Sequence, residues 1–328
     1  MDDLIRKIEK SYGLTVIRHE KLRETPKSLV VFFETSIGRF IGKVSYLPKE
    51  RHHFILNAEA YLRKKGILIP NIQRTKSSKR YIMWKDNPFV LHQWLSWRKV
   101  AYSSPVRLAQ IGALLGQFHK RSLGFTSRHG ELYNGAKKWT EEYKADLTSL
   151  EKWELRNRDK KQPNFSAIFE YLPYFRQAAQ TAHEHLKSSA YFAKWKKAPL
   201  KRHFLCHGDF NNGNLLTRNK QIAIIDWEDV RYDFPSKDIS RVLSLAMRKH
   251  GSWNEQLFVY LLRSYLQENP LSADQLHLLF VDLAFPHIFE RFLRMKQYEQ
   301  MDLANIQQFC RREALKTAYM LDELQALA

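Results

Sequence analysis

FLCHGDFNNGNLL at 204–216, continued by IAIIDWEDVRYDFP at 222–235, decides how this chain is read. Asn214 follows Asp209 by five residues, and Asp226 closes the apolar run 222–225. An Asp and an Asn at this spacing, then an Asp at the end of a strand, is the set that phosphoryl transfer from a nucleotide needs. One carboxylate takes or orients the proton of the acceptor hydroxyl, while the amide and the second carboxylate hold metal ions on the phosphates. His-Gly-Asp alone would carry little, because His and Asp often cap turns. The three residues in order carry the reading.

Upstream, the first hundred residues read as β-structure with one helix. SLVVFFET at 28–35 is β-branched and aromatic, Ser36-Ile37-Gly38 supplies a turn, and RFIGKVS at 39–45 returns, which predicts a hairpin. Phe54, Ala58 and Leu62 recur every four residues, so 48–66 reads as an amphipathic helix ended by Gly66. Short strands are expected at 80–84 and 89–95. From Ser104 the pattern turns helical, with Leu108, Ile111, Leu115 and Phe118 on one face and further helices around 133–157 and 165–187. The change of character near 97–105 suggests two lobes, 1–97 and 98–328. The expected class is α+β: a small antiparallel β lobe with one helix, then a large, mainly helical lobe.

The 328 residues suffice for two cores, and 44% apolar content with 20 Phe, 15 Tyr and 8 Trp excludes a disordered chain. Lys and Arg number 54 against 34 Asp and Glu, a net charge of +20 that predicts attraction to anions. Charge alone does not make a nucleic-acid binder: no recognition helix or RNA-binding aromatic motif is visible, and the acids within 137–161 interrupt any phosphate-binding stripe. That segment reads as a solvated amphipathic helix. Cys206 and Cys310 are too few for a disulfide framework or a zinc site, and Cys206 reads as a small core residue. With no apolar signal core and no run long enough to span a membrane, the expectation is a cytoplasmic protein. His52 and His53, adjacent on a helix, do not share a face and read as surface residues.

HGDFNNGN followed by IDWED resembles the aminoglycoside phosphotransferase and choline kinase-like group, which has the protein-kinase-like fold. FVLHQWL at 89–95, LAQIGALLGQFHKRSLGF at 108–125 and YDFPSKDISRVL at 232–243 extend the likeness, and the layout is most similar to spore-coat kinase-like proteins of endospore-forming bacteria. The resemblance implies ATP and Mg2+ as cofactors, a small-molecule hydroxyl as acceptor and other spore coat proteins as partners. It implies Asp209 as the catalytic base and Asn214 and Asp226 as metal ligands. His207 would support the catalytic loop, and Asp238 would hydrogen-bond its amides. Lys43 would meet the α and β phosphates, and Gln93 and Leu95 would belong to the nucleotide-binding stretch. Glu59, in the helix, would fix the Lys43 ammonium, since a buried cation needs a partner.

Two departures from the kinase pattern stand out. No G-x-G-x-x-G stands between the first two strands; Glu24-Thr25-Pro26-Lys27-Ser28 occupies that turn, so Ser or Lys side chains and the hairpin backbone would have to cover the phosphates. Asp226 is followed by Trp-Glu, and the tryptophan is expected to hold the metal carboxylate in one orientation. Glu228 and Asp229 read more readily as surface acids than as extra ligands. The charge of +20 favours a neutral or anionic hydroxylated acceptor such as a sugar or polyol, with 285–287, Glu290 and Arg291 as candidate lining residues. A rival reading is a coat protein that keeps the fold with little or no turnover.

Overall fold

The computed structural model describes residues 1–102 and 104–327; Ser103, inside the expected lobe boundary, and Ala328, the end of the expected second lobe, lie outside them. In chain order, α1 (Asp2–Tyr12) precedes β1 (Val16–Glu24), β2 (Ser28–Thr35) and β3 (Gly38–Ser45). There follow α2 (Lys49–Lys64), β4 (Ile82–Trp84), β5 (Asn87–Gln93) and β6 (Arg98–Lys99). The helices α3 (Pro105–Ser122), α4 (Trp139–Asn157), α5 (Pro163–Ser188) and α6 (Ala190–Trp195) come next. Then β7 (Phe204–Cys206), β8 (Leu215–Arg218), β9 (Gln221–Ile224) and β10 (Arg231–Asp233) lead to α7 (Ser236–His250), α8 (Glu255–Glu268), α9 (Ala273–Ala284), α10 (His287–Arg294) and α11 (Leu303–Ala326).

Two compact units result, and neither is one continuous stretch. The first holds 1–100, 127–129 and 212–228; the second holds 101–126, 130–211 and 229–328. Residues 212–228 join the first unit because β8 pairs with β6 and β9 returns on β8.

The first unit is built on an antiparallel sheet of order β1-β2-β3-β5-β4. Alternation along the strands gives the sheet two different faces. Leu29, Val31, Phe33, Phe40, Val44, Phe89 and Leu91 point to one side and pack with Leu4, Ile8 and Tyr12 of α1. Helix α1 is a second helix where sequence predicts only one; its apolar spacing is short and lies among charges. Gly42 keeps that layer closed, because a Cβ there would come within 2.6 Å of the Phe33 and Phe89 rings. The opposite face carries Val30, Ile41, Lys43 and Val90 and borders a cavity.

The second unit is mainly helical. Ser104 caps α3, its side chain accepting from the Arg107 amide, with Pro105 at the first turn, where its missing N–H costs nothing. Gly112 and Gly116 let α3 approach α8 closely: a Cβ at either would stand 2.3 Å from the Leu261 carbonyl or 2.5 Å from that of Tyr265. Helix α4 buries Trp139, Tyr143, Leu150 and Trp153, and most of its charges face outward, Asp146 being the inward one that meets His287. No described helix is long and apolar enough to cross a membrane.

Candidate active site

In the first unit, β8 and β9 form a hairpin whose two-residue turn, Asn219-Lys220, is left-handed at both positions (φ 48° and 67°). Such turns match the strand twist and hold tight hairpins in register. The two ends of this hairpin therefore lie side by side: the Ile225 amide donates to the Asn214 carbonyl at 3.0 Å. Asp226 follows directly, itself left-handed at φ 64°. That conformation is uncommon outside glycine and is tolerated best by Asp and Asn. Trp227 is buried behind it, its indole N–H donating to the Ile224 carbonyl at 3.2 Å.

Lys43 reaches these carboxylates from β3. Its Nζ donates to Asp226 Oδ1 at 2.6 Å and lies 2.7 Å from Glu228 Oε1, the latter off the line of a hydrogen bond. Arg23, at the end of β1, donates to Asp226 Oδ2 at 3.2 Å, and the Arg51 guanidinium holds the Glu228 carbonyl at 3.1 Å. Burial alone would lower the Lys43 ammonium, but Asp226 and Glu228 outweigh it and hold the group above its ordinary range.

Several expectations change here. Lys43 pairs with Asp226 and Glu228, not with Glu59. Glu59 instead meets His92 Nε2 at 3.3 Å and Arg63 at 3.7 Å. Burial would raise Glu59, yet His92, Arg63 and Lys43 together hold its carboxyl below the usual range. Glu228 is no surface acid; its side chain is 12% exposed. His52 is buried too, with its ring edge-on to Tyr81, while His53 faces out. Being adjacent on a helix separates two residues, but does not place both outside.

The cavity in this unit measures about 470 Å³. Lys43, Glu59, Gln93, Leu95, Asn214 and Asp226 all line it, among aliphatic walls that include Val30, Ile41, Val90 and Leu216. Asp226, Glu228 and Asn214 offer hard oxygen donors of the kind Mg2+ takes, so the residues present fit that ion.

In the second unit, β7 pairs with β10 and delivers the chain to His207. Asp238, at the first turn of α7, accepts from the His207 amide at 2.6 Å and the Gly208 amide at 2.9 Å. Its Oδ2 also meets His119 Nε2 at 3.2 Å, His119 Nδ1 meets the Tyr265 hydroxyl at 3.0 Å, and Asn269 donates to that hydroxyl at 2.7 Å. This chain of four side chains is buried throughout, and the close α3–α8 contact puts Tyr265 within reach of His119. Burial would raise the Asp238 carboxyl, but the hydrogen bond and charge of His119 and the His207 amide hold it low. Gly208 is left-handed at φ 81°, and a Cβ there would meet the Asp229 carbonyl at 2.4 Å.

Asp209 follows, its amide 3.3 Å from His207 Nδ1 and its Oδ1 accepting from Arg241 at 3.0 Å. Arg241 was invisible as a site residue in sequence, since only the α7 spacing from Asp238 brings it round. Cys206 lies beside His119 and Asp238, but its thiol, pushed well up by burial, donates to the Phe234 carbonyl, which leaves a core residue rather than a metal ligand. Of the expected acceptor-lining residues, Phe285, His287 and Glu290 are packed within the unit, whereas Arg291 is exposed. Phe285 packs its ring 4.1 Å from that of Tyr143, Glu290 is held by Ser149 and Arg294, and His287 meets Asp146 and Asp282.

Comparison with known proteins identifies the family and the fold. Residues 27–271 match the model of the phosphotransferase enzyme family. Spore coat protein S of Bacillus subtilis (strain 168) is 26% identical over 259 residues, 78% of this chain and 73% of that protein. The fold is similar to that of an aminoglycoside phosphotransferase from Alicyclobacillus acidocaldarius (TM-score 0.78, 17% identity, 98% of this chain and 95% of that one). It is also similar to the amicoumacin kinase hAmiN, solved with AMP-PNP, Ca2+ and Ami (TM-score 0.63, 17% identity, 99% and 93%). The matched region spans Lys43, Asp209, Asn214 and Asp226, and the chain belongs to the phosphotransferase enzyme family.

Proposed function

We propose that this protein transfers the γ-phosphoryl group of Mg-ATP to a hydroxyl of a small molecule. The observation that carries the reading is the ion cluster of Lys43, Asp226 and Glu228 beside Asn214 in an aliphatic-walled cavity. Aliphatic walls suit a purine, and the charged end suits a metal-bound polyphosphate. Asp226 and Asn214 would hold Mg2+, which when bound neutralises charge on the phosphates. Lys43 would then bind the α and β phosphates, with Gln93 and Leu95 lining the purine end. Asp209 accepts the proton of the attacking hydroxyl, and the Asp238 network fixes the loop that presents it.

For the acceptor, a neutral or anionic hydroxylated compound such as a sugar or polyol fits best, since Arg241 stands against Asp209 and the whole chain carries +20. The likeness to Spore coat protein S supports a place in the spore coat, with other coat proteins as partners. The same likeness favours a second reading, a coat protein of little turnover. The complete set Lys43, Asp209, Asn214 and Asp226 speaks for chemistry. The test is transfer of labelled γ-phosphate to a panel of sugars and polyols by the intact protein and by Asp209→Asn. Turnover should fall at least about a hundredfold in the variant while ATP affinity holds. Equal turnover would remove Asp209 from its role, and no transfer to any acceptor despite nucleotide binding would favour the coat reading.

A further inference from the structure

Kinase-like sites commonly wrap phosphates with backbone amides of a glycine-rich turn between the first two strands. The corresponding turn here has none to offer. The Thr25 amide donates to the Ser28 carbonyl, Pro26 has no N–H, and the Lys27 and Ser28 amides both donate to Thr25 Oγ1. The expectation that the hairpin backbone would cover the phosphates therefore fails. A turn that satisfies its own donors is a closed ring, and opening it would cost the hydrogen bonds that shape it.

A side chain two residues before this turn reaches the cavity instead. The β1–β2 register slips between Lys21 and Arg23: Lys21 faces Val31, and Arg23 faces Val30. Residues two apart on a strand share a face, so without this bulge Arg23 would point with Lys21 to the α1 side. The extra residue, Leu22, turns Arg23 onto the cavity face instead. There the pairs Arg23–Val30, Val30–Lys43 and Lys43–Val90 form one row across four strands. Both cations of the row border the cavity, and both contact Asp226, Lys43 through Oδ1 and Arg23 through Oδ2.

We infer that Arg23 grips the β and γ phosphates of the nucleotide, taking the part that glycine-rich amides play elsewhere. A divalent ion on Asp226 needs the same oxygen lone pairs and repels both cations. Arg23 must then leave Asp226, and a polyphosphate supplies the oxygens its planar fork matches bidentately. The inference rests on the nucleotide reading of this cavity.

The experiment is calorimetric titration of the full chain with ATP, AMP and adenosine in Mg2+, using the intact protein, Arg23→Ala, Arg23→Lys, Lys27→Ala and Arg18→Ala. Arg23→Ala should weaken ATP by about tenfold or more, the loss of one charge-assisted contact pair, and leave AMP and adenosine unchanged. Arg23→Lys should recover part of the loss. Arg18→Ala, on the same strand outside the cavity, should change nothing. Unchanged ATP affinity in Arg23→Ala, equal loss for AMP, or a larger effect from Lys27→Ala would overturn the inference while leaving the nucleotide reading intact. An intact protein that binds no nucleotide would overturn both.

Discussion

The Asp238 network of the second unit and the Asp226 cluster of the first are both built from carboxylates and cations, yet they differ in kind. Asp238 and His119 have no exposed side-chain surface, and their partners are backbone amides of the loop and a buried phenol. Asp226 is 22% exposed, and its partners Lys43 and Arg23 come from separate strands into an open cavity. The first arrangement fixes backbone; the second holds charges whose partners can be exchanged. A buried charge left unpaired costs several kcal/mol, whereas a solvated one relaxes through water. On the proposed reading, this difference gives rigidity to the loop that carries Asp209 and exchangeable charge partners to the cavity.

The contrast breaks if stability does not follow it. Asp238→Ala strips the acceptor from the buried His207 amide, the part-buried Gly208 amide and His119 at once, and should cost about 3–5 kcal/mol in urea denaturation. A loss under about 1 kcal/mol would mean the network is not rigid. Gly208→Ala forces a side chain onto a left-handed residue and against the Asp229 carbonyl. It should cost about 2–3 kcal/mol by the same measurement.

A smaller effect belongs to the wall of the first unit's cavity, where His52 lies. Burial, with help from the His53 charge, lowers the His52 imidazole to about 4. The unfolded chain takes up a proton near pH 6.5 while the folded one does not, so stability is complete above that pH and declines as pH falls towards 4. The loss between pH 7 and pH 5 should be about 1–2 kcal/mol, and His52→Gln should flatten that part of the profile. An unchanged slope would place the titration elsewhere. The smallest stability effect belongs to Asp226→Asn. Asparagine accepts the left-handed backbone, and Lys43 keeps Glu228 beside it, so denaturation should shift by no more than about 1 kcal/mol.

Much of this was legible in sequence, for physical reasons. The hairpin at 28–45 and helix α2 announce themselves by period, and the order of Asp209, Asn214 and Asp226 carries the chemistry proposed above. Partner choice was not legible. Lys43 meets Glu228 rather than Glu59 because the β8–β9 hairpin turns Asp226 and the residues after it towards β3, and a strand's alternation says nothing of what arrives opposite. Arg23 was hidden by a bulge, which changes a residue's face without changing its neighbours in sequence. His52 lines the cavity although it reads as a surface residue, because adjacency on a helix separates two faces without putting both outside. Phe285 shows that composition near a site cannot separate a lining residue from one packed behind it. Helix α1 was missed because its apolar stripe, Leu4, Ile8 and Tyr12, is thin and set among charges.

A working nucleotide and metal site around Asp226 should show itself in calorimetric titration with ATP, with and without Mg2+. The intact protein should bind ATP more tightly with the metal, and Asp226→Asn, folded and of near-normal stability, should lose that metal-dependent gain. No binding by the intact protein, or the same metal dependence in the variant, would mean that Asp226 holds no metal for a nucleotide.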